Sequence, residues 1–304
     1  MAGKLIAVAN MKGGVGKTTT VVSLAEALAA DDSNVSVLVV DLDPQASASV
    51  CLAGDDLLFE MIKDDKTLDA FLDERLIKQE KTKLNSKIHK AVSATYHAGS
   101  PLKISLLPCG LDLRFVEREI IYNLTKKSFF TKGIEGQMWK QFNQEFLSLG
   151  KIYDYVIFDC PPRISTLSEV AIRASDLVII PTIPDFISAY GLAAFVKFFW
   201  EKEMFGQTPK RLPHILITRL LTTVRQHKRV AARLEEAAAK GESPVIRLFR
   251  TRVPQAAKLA DALSTMDDES SFKERYPTYS RKYGDMTLML GQLAQEVKGV
   301  LNGI

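Results

Sequence analysis

Cysteine is scarce in this sequence, and long apolar runs are missing. Its 304 residues include three cysteines, Cys51, Cys109 and Cys160. They are widely spaced with no CxxC pair, which excludes a cysteine metal framework and a disulfide-stapled miniprotein and fits a reducing compartment. No stretch approaches the roughly 18 apolar residues of a membrane helix. The run from Leu5 to Ala9 is too short for the core of a signal peptide. A cytoplasmic protein without stable membrane insertion is therefore expected. There is no internal repeat and no low-complexity linker. Charge is nearly balanced, with 40 Lys and Arg against 36 Asp and Glu for a net +4. A hydrophobic share of 46% and a charged share of 25% exclude a disordered or collagen-like chain.

What is present is an alternation of two patterns. Short apolar runs rich in β-branched residues cover Leu5–Ala9, Val35–Val40, Ile104–Leu107, Tyr155–Phe158, Leu177–Ile180 and Ile215–Ile217. Most do not alternate with polar residues, as strands of a parallel sheet covered on both faces require. Helix-like segments separate them at Lys17–Ala30, Ser165–Ala174, Phe186–Met204 and Arg225–Lys240. The expected fold is α/β, a doubly wound, mostly parallel sheet with helices on both faces. One domain is expected over 1–304. Its rim would carry a helical insertion around 55–100, and a surface loop plus a last helix would fill 264–304.

Lys12-Gly-Gly-Val-Gly-Lys-Thr-Thr19 follows the first strand directly and opens a helix-forming run, the context of a phosphate loop. Gly13, Gly14 and Gly16 allow backbone conformations closed to other residues, so that the N–H groups of Gly13 to Gly16, Val15 included, can converge on phosphate at a helix N-terminus. Lys17 would reach the β- and γ-phosphates, Thr18 would place its hydroxyl on Mg²⁺, and Thr19 would donate to the α-phosphate. The general motif wants glycine at position 11, where this chain has Met11, and a second lysine, Lys12, opens the loop. From there Lys12 cannot easily fold back to its own γ-phosphate. It could reach a nucleotide held by a second subunit and offset charge in phosphoryl transfer.

Two apolar strands end in carboxylates. Asp159 ends Val156-Ile-Phe-Asp159, where a carboxylate beside the phosphate loop would hold Mg²⁺ through its water shell. Asp41 and Asp43 end Val39-Val-Asp-Leu-Asp43 and fall on one side of the strand because side chains alternate. Together the loop, Val39–Gln45 and Val156–Pro162 resemble the motifs of the ParA/MinD family of partition and positioning ATPases, with its deviant Walker A loop. The likeness extends through Leu106–Pro108, Ile180–Pro184 and Arg252–Pro254, and is weakest over 55–100 and 264–285. The resemblance implies ATP and Mg²⁺ as cofactors, Lys12, Lys17 and Asp43 as catalytic residues, and Asp43 as the group that orients the attacking water. It places Asp41 nearer the metal, with Thr18 and Asp159, although from sequence alone Asp41 and Asp43 could be exchanged. It sets Thr218-Arg219 and Val253-Pro254-Gln255 around the adenine, where many relatives carry Asn in place of Arg219. The helix from Asp185 to Phe199 is similar to one that packs at the family's ATP-dependent dimer face, while Phe195, Phe198 and Phe199 read as core. No Ras-like glutamine and no arginine finger in cis is visible, so slow hydrolysis awaiting a partner is expected.

The small net charge conceals a basic segment. Between Gln207 and Lys258 there are twelve Lys and Arg against three acids. Arg225, Arg229 and Arg233 recur at i, i+4 and i+8 on one helix face, with Lys228 beside them. Lys210, Arg211, Arg247 and Arg250 complete the candidate DNA-binding set. No aromatics are interleaved for stacking single strands. Nonspecific, salt-dependent binding to duplex backbone is expected. The resemblance agrees and adds a homodimer with ATP, a ParB-like cargo adaptor and a nucleoid-associated location. With the phosphate loop beginning at the twelfth residue, no N-terminal helix-turn-helix domain is expected.

A competing expectation is a MinD-like membrane-positioning ATPase, which needs an amphipathic terminal helix with basic flanks. The final segment presents Met286, Leu290, Leu293, Val297, Val300 and Leu301 at near-helical spacing, but only Lys298 as a cation, and reads as docked on the body. A relative of the nitrogenase iron protein would need paired cysteine ligands that this chain does not present.

Overall fold

A computed structural model describes residues 3–127, 131–201, 209–241, 246–263 and 278–303; of 124–127, 131–135, 137, 138 and 258 it describes the backbone only. Most of the surface loop expected over 264–285 lies outside the described residues, as do the last residues of the helix expected to run to Met204 and the side chain of Lys258.

Strand β1 (Lys4–Val8) leads through the glycine loop into helix α1 (Lys17–Asp31) and strand β2 (Val37–Asp41). Helices α2 (Ser47–Lys63) and α3 (Leu68–Leu72) follow, then single π and 3₁₀ turns and a two-residue hairpin of β3 (Tyr96–His97) and β4 (Ser100–Pro101). The expected helical insertion is thus only partly helical. Glycine at position 54, with φ +75°, kinks α2 where no side-chain-bearing residue would comfortably sit. Strand β5 (Ile104–Leu107), α4 (Leu113–Lys127) and α5 (Thr131–Leu149) precede β6 (Tyr155–Asp159), α6 (Thr166–Ala174), β7 (Leu177–Thr182) and α7 (Phe186–Trp200). The chain closes with β8 (His214–Leu220), α8 (Arg225–Lys240), β9 (Arg247–Pro254), and α9 (Ala257–Asp261), α10 (Tyr279–Tyr283) and α11 (Met286–Asn302).

Seven strands form one sheet in the order β5-β2-β6-β1-β7-β8-β9, parallel throughout. Strand periodicity divides the interior in two. Leu5 and Ala7 of β1, Leu38 and Val40 of β2, and Val156 and Phe158 of β6 face one core layer, with Phe142, Phe146, Leu192, Phe195 and Phe199 above it. Ile6, Val8, Val37, Val39 and Ile157 face the other, covered by α1 and α11. A sheet buried on both faces needs apolar residues at both parities, and this is why its strands read as continuous apolar runs. Helix α11 docks through Leu290, Leu293, Val297 and Leu301, all buried. Among the described residues no helix is long and apolar enough to cross a membrane.

Both sheet edges are occupied. His89 exchanges two backbone hydrogen bonds with Leu106 of β5, and Val92 N–H donates to Ile104. On β9 the Glu296 carboxylate of α11 accepts from the backbone N–H groups of Arg250 and Thr251, at 2.6 and 2.8 Å.

A strand-end cavity with a phosphate loop

Parallel strands bring their C-termini to one side, where open α/β sheets bind ligands. The ends of β1, β2, β6, β8 and β9 meet there around a cavity of about 940 Å³, lined by Gly13, Gly14, Gly16, Lys17, Thr18 and Asp43 at one end and by Val253, Pro254 and Gln255 at the other. Gly14 and Gly16 stand at φ +71° and +88°, the left-handed backbone that turns successive N–H groups inward. The loop is braced at its start by Asn10, buried, whose Nδ2 donates to the Pro181 carbonyl and whose Oδ1 accepts from Lys12 N–H. At its far side Thr218 Oγ1 donates to the Val15 carbonyl at 2.8 Å and Arg219 Nη1 to the Gly14 carbonyl at 2.9 Å.

The two lysines of the loop part company. Lys17 lines the cavity and its Nζ donates to the Lys12 carbonyl at 3.1 Å. Burial holds its pKa below the usual lysine value, against the opposing pull of Asp159 and Asp43. Lys12 turns away. Its Nζ lies 2.9 Å from Asp185 Oδ2 and 2.7 Å from Ser188 Oγ, at the first turn of α7. Asp185 also caps that helix, accepting from Ser188 N–H at 2.7 Å. Around this point Phe186, Ile187 and Tyr190 of α7 stand exposed, Ile187 at 75% and Tyr190 at 79%, with Met11 exposed on the loop. Phe195 and Phe199 are buried, as expected, and Phe198 packs half-buried against the same core.

The carboxylates divide likewise. Asp41 and Asp159 are register partners on adjacent strands. Thr18 Oγ1 donates to Asp159 Oδ2 at 2.7 Å, while buried Oδ1 has no hydrogen-bond partner. Asp41 Oδ1 accepts from Asp43 N–H, and Oδ2 accepts from both N–H and Oγ–H of Ser49. Both oxygens of Asp41 are therefore occupied by protein donors, whereas Asp43 lines the cavity. Asp41, expected on the metal side, fastens the start of α2 through Ser49. Burial, and after it the charges of Asp41 and Asp43, pushes Asp159 well up; burial pushes Asp41 up to about 6. A divalent cation fits this set. It would meet the orphaned Asp159 oxygen and the Thr18 hydroxyl, and it would neutralise carboxylates that burial makes costly to charge.

Sequence reasoning singled out Thr218, Arg219, Val253, Pro254 and Gln255, all of which line the cavity. It missed the apolar wall of Leu216, Leu259, Leu290 and Leu293. Those residues are separated by up to 77 positions and carry no motif, so only the fold collects them. Asn10 and the Asp185–Ser188 pair were also missed; the latter has the local signature of a helix N-cap. Of the basic residues, Arg225, Lys228, Arg229 and Arg233 are exposed on α8. Lys210 is paired with Asp176 at 2.8 Å and Arg211 donates to the Leu301 carbonyl. Arg247 and Arg250 are exposed on β9.

A strand, a glycine loop, a helix N-terminus and strand-end carboxylates around one cavity define a P-loop nucleotide-binding protein. A family model described as an AAA domain matches residues 3–205. An uncharacterized protein of Pseudomonas putida (strain KT2440) is 30% identical over 262 residues, covering 86% of this chain and 84% of that one. The sporulation initiation inhibitor protein Soj of Bacillus subtilis (strain 168) is 26% identical over 262 residues, covering 86% and 88%. The solved structure of pNOB8 ParA bound to nonspecific DNA superposes with a TM-score of 0.62 at 17% identity, covering 98% and 99%. The chain belongs to the ParA/MinD family of P-loop ATPases.

Proposed function

We propose that this chain is one ATPase domain that binds ATP with Mg²⁺, forms a sandwich dimer, binds duplex DNA without sequence preference and hydrolyses ATP when a cargo-bound, ParB-like adaptor stimulates it. The observation that carries this reading is Lys12. It lies outside its own cavity, tied to α7 beside an exposed apolar face that no element of this chain covers among the described residues, and large exposed apolar patches mark interaction surfaces.

In the proposed dimer, Lys17 binds the β- and γ-phosphates and the N–H groups of Gly13 to Thr19 cradle them. Thr18 and Asp159 hold Mg²⁺, which supplies charge neutralisation of the phosphates. Asp41 acts one step behind, fixing the strand-to-α2 turn that presents Asp43 to the cavity. Asp43 accepts a proton from, or orients, the attacking water. Lys12 leaves Asp185 and meets the nucleotide of the other subunit, where its charge favours the transition state. Arg219, Val253, Pro254 and Gln255 surround the adenine. The DNA surface centres on Arg225, Lys228, Arg229 and Arg233 of α8, with Arg247 and Arg250 as outlying cations. A nucleoid-associated, cytoplasmic location follows from this binding. The exposed cations favour DNA over a membrane surface, since α11 has its apolar stripe buried in the body.

The test uses Asp43→Ala. With MgATP the variant should sediment as a dimer and retain duplex DNA, while wild-type protein cycles. A variant that stays monomeric with bound ATP refutes the assignment of Asp43. ATP-dependent flotation on liposomes without DNA retention favours the membrane reading.

A further inference from the structure

Helix α11 walls two cavities. Leu290 and Leu293, on one side of it, line the nucleotide cavity. Leu288, Gly291 and Gln292, on the other, line a second cavity of about 910 Å³, close in size to the first. Helix α1 is shared as well. Its Thr20 and Ser23 line the nucleotide cavity, and Ala27 and Ala30, further along, line the second. Small residues on both helices leave the space open: a Cβ built on Gly291 would meet nothing within 4 Å. His97 and Tyr279 line it too, their rings edge to face with centroids 6.1 Å apart. A concave, largely apolar space of this size suits a small molecule.

The hydrogen-bonding groups of the second cavity fall into two sets. Its carboxylates are engaged. Asp31 accepts from Gln295 on one oxygen and from Lys298 on the other. Glu296 accepts from the backbone N–H groups of Arg250 and Thr251 and from the Thr251 hydroxyl. The side chains of Arg250, Gln292 and His97, by contrast, have no hydrogen-bond or ion-pair partner among the described residues. The Arg250 guanidinium alone brings five N–H donors. The charged acceptors of this cavity are thus spent, and its one free charge is a cation beside apolar and aromatic surface.

We infer that this cavity is a second ligand site, for a small apolar anion with a flat ring, an aryl carboxylate or sulfonate. The anionic group meets Arg250, whose guanidinium gives paired, charge-assisted hydrogen bonds to an oxyanion. The ring rests on Ala27, Ala30, Leu288 and Gly291. The site is separate from the nucleotide cavity and does not depend on the nucleotide reading. Its occupant touches both of the helices that wall that cavity.

The experiment is a fluorescence titration of the full chain, with MgADP saturating, by two dyes: anilinonaphthalene sulfonate, and phenylnaphthylamine, which has the same rings and no sulfonate. Wild-type protein should bind the sulfonate saturably. Arg250→Ala should weaken the sulfonate about three- to tenfold, as loss of a partly solvated charge-assisted hydrogen bond does, and leave phenylnaphthylamine unchanged. Gly291→Leu should remove both dyes from the site while melting no earlier than wild type, since leucine is the better helix former and its side chain enters open space. The inference is overturned if the wild type shows no saturable binding of the sulfonate. Undiminished binding by a folded Gly291→Leu overturns it too, because the dye then sits on another apolar surface. So does a sulfonate affinity indifferent to Arg250→Ala, or an equal loss of both dyes in that variant. The Arg250 comparison decides the matter by itself should Gly291→Leu melt early.

Discussion

Replacing Asp185 with Asn takes away the charge that holds Lys12 and leaves the helix cap in place, because Asn caps as well as Asp. In the wild type the Lys12 Nζ and Asp185 Oδ2 are 2.9 Å apart, with side chains 36% and 24% exposed. A pair this solvated contributes about 0.5–1 kcal/mol. If Lys12 must leave it to reach the other subunit, each dimer breaks two such pairs, one per chain. The ATP-dependent dimer of Asp185→Asn should then be tighter by about 1–2 kcal/mol, or roughly 5- to 30-fold in Kd. Sedimentation velocity over a concentration series, in an Asp43→Ala background to stop turnover, measures this. Ser188 still accepts from Lys12, so the gain should grow in the double variant with Ser188→Ala. An unchanged or weaker dimer, in a variant whose melting temperature shows α7 intact, refutes the view that Asp185 retains Lys12 in the monomer.

Three further outcomes are expected. Arg225→Ala, Arg229→Ala and Arg233→Ala together should weaken duplex binding across all sequences and flatten its salt dependence, the log–log slope falling by about 0.9 for each phosphate no longer neutralised; an unchanged slope in a filter-binding assay removes α8 from the DNA surface. In the absence of divalent ions, Asp41 titrates near 6 in the folded chain against 3.8 unfolded, so the folded state retains its proton longer and stability falls as pH rises through that window. The cost reaches about 3 kcal/mol, and urea unfolding should show wild type losing ground to Asp41→Asn between pH 4 and 7; a gap independent of pH contradicts it. Gly110→Ala should destabilise by about 1–3 kcal/mol, because a Cβ at this position would come within 2.4 Å of both Asp69 carboxylate oxygens, one of which accepts from Gly110 N–H; thermal melts of the variant check it, and a wild-type midpoint would contradict it.

The phosphate end of the site was legible because its chemistry is contiguous. Lys12 to Thr19 is a single loop, and Asp43 and Asp159 each end an apolar run that reads as a strand. The same runs disclosed six of the seven strands of the main sheet. Strand β9 escaped because Arg247, Arg250 and Arg252 interrupt its apolar residues, as suits an edge. The rest of the cavity was only half legible, since Leu216 and Leu293 line it together only through the docking of α11. The partners of Lys12 and Asp41 were illegible for a different reason. Sequence spacing shows which groups share an end of the sheet, but a carboxylate's availability depends on which donors have already claimed its oxygens. Ser49, eight residues on from Asp41, claims one of them.

The closed edges of the sheet bear on how this chain can associate. An open edge is a standing offer of backbone hydrogen bonds to any other chain, and it operates at all times. Here the segment through His89 takes up one edge, and Glu296 takes up backbone donors on the other. Contacts by strand addition are thereby suppressed at both ends. The face at the strand C-termini, where Lys12, the exposed residues of α7 and the nucleotide cavity lie together, is left open. If the proposed dimer forms on that face, a bound nucleotide can switch it on and hydrolysis can switch it off. The segment over 55–100, which contributes no residue to the phosphate cradle, would in this way keep assembly reversible.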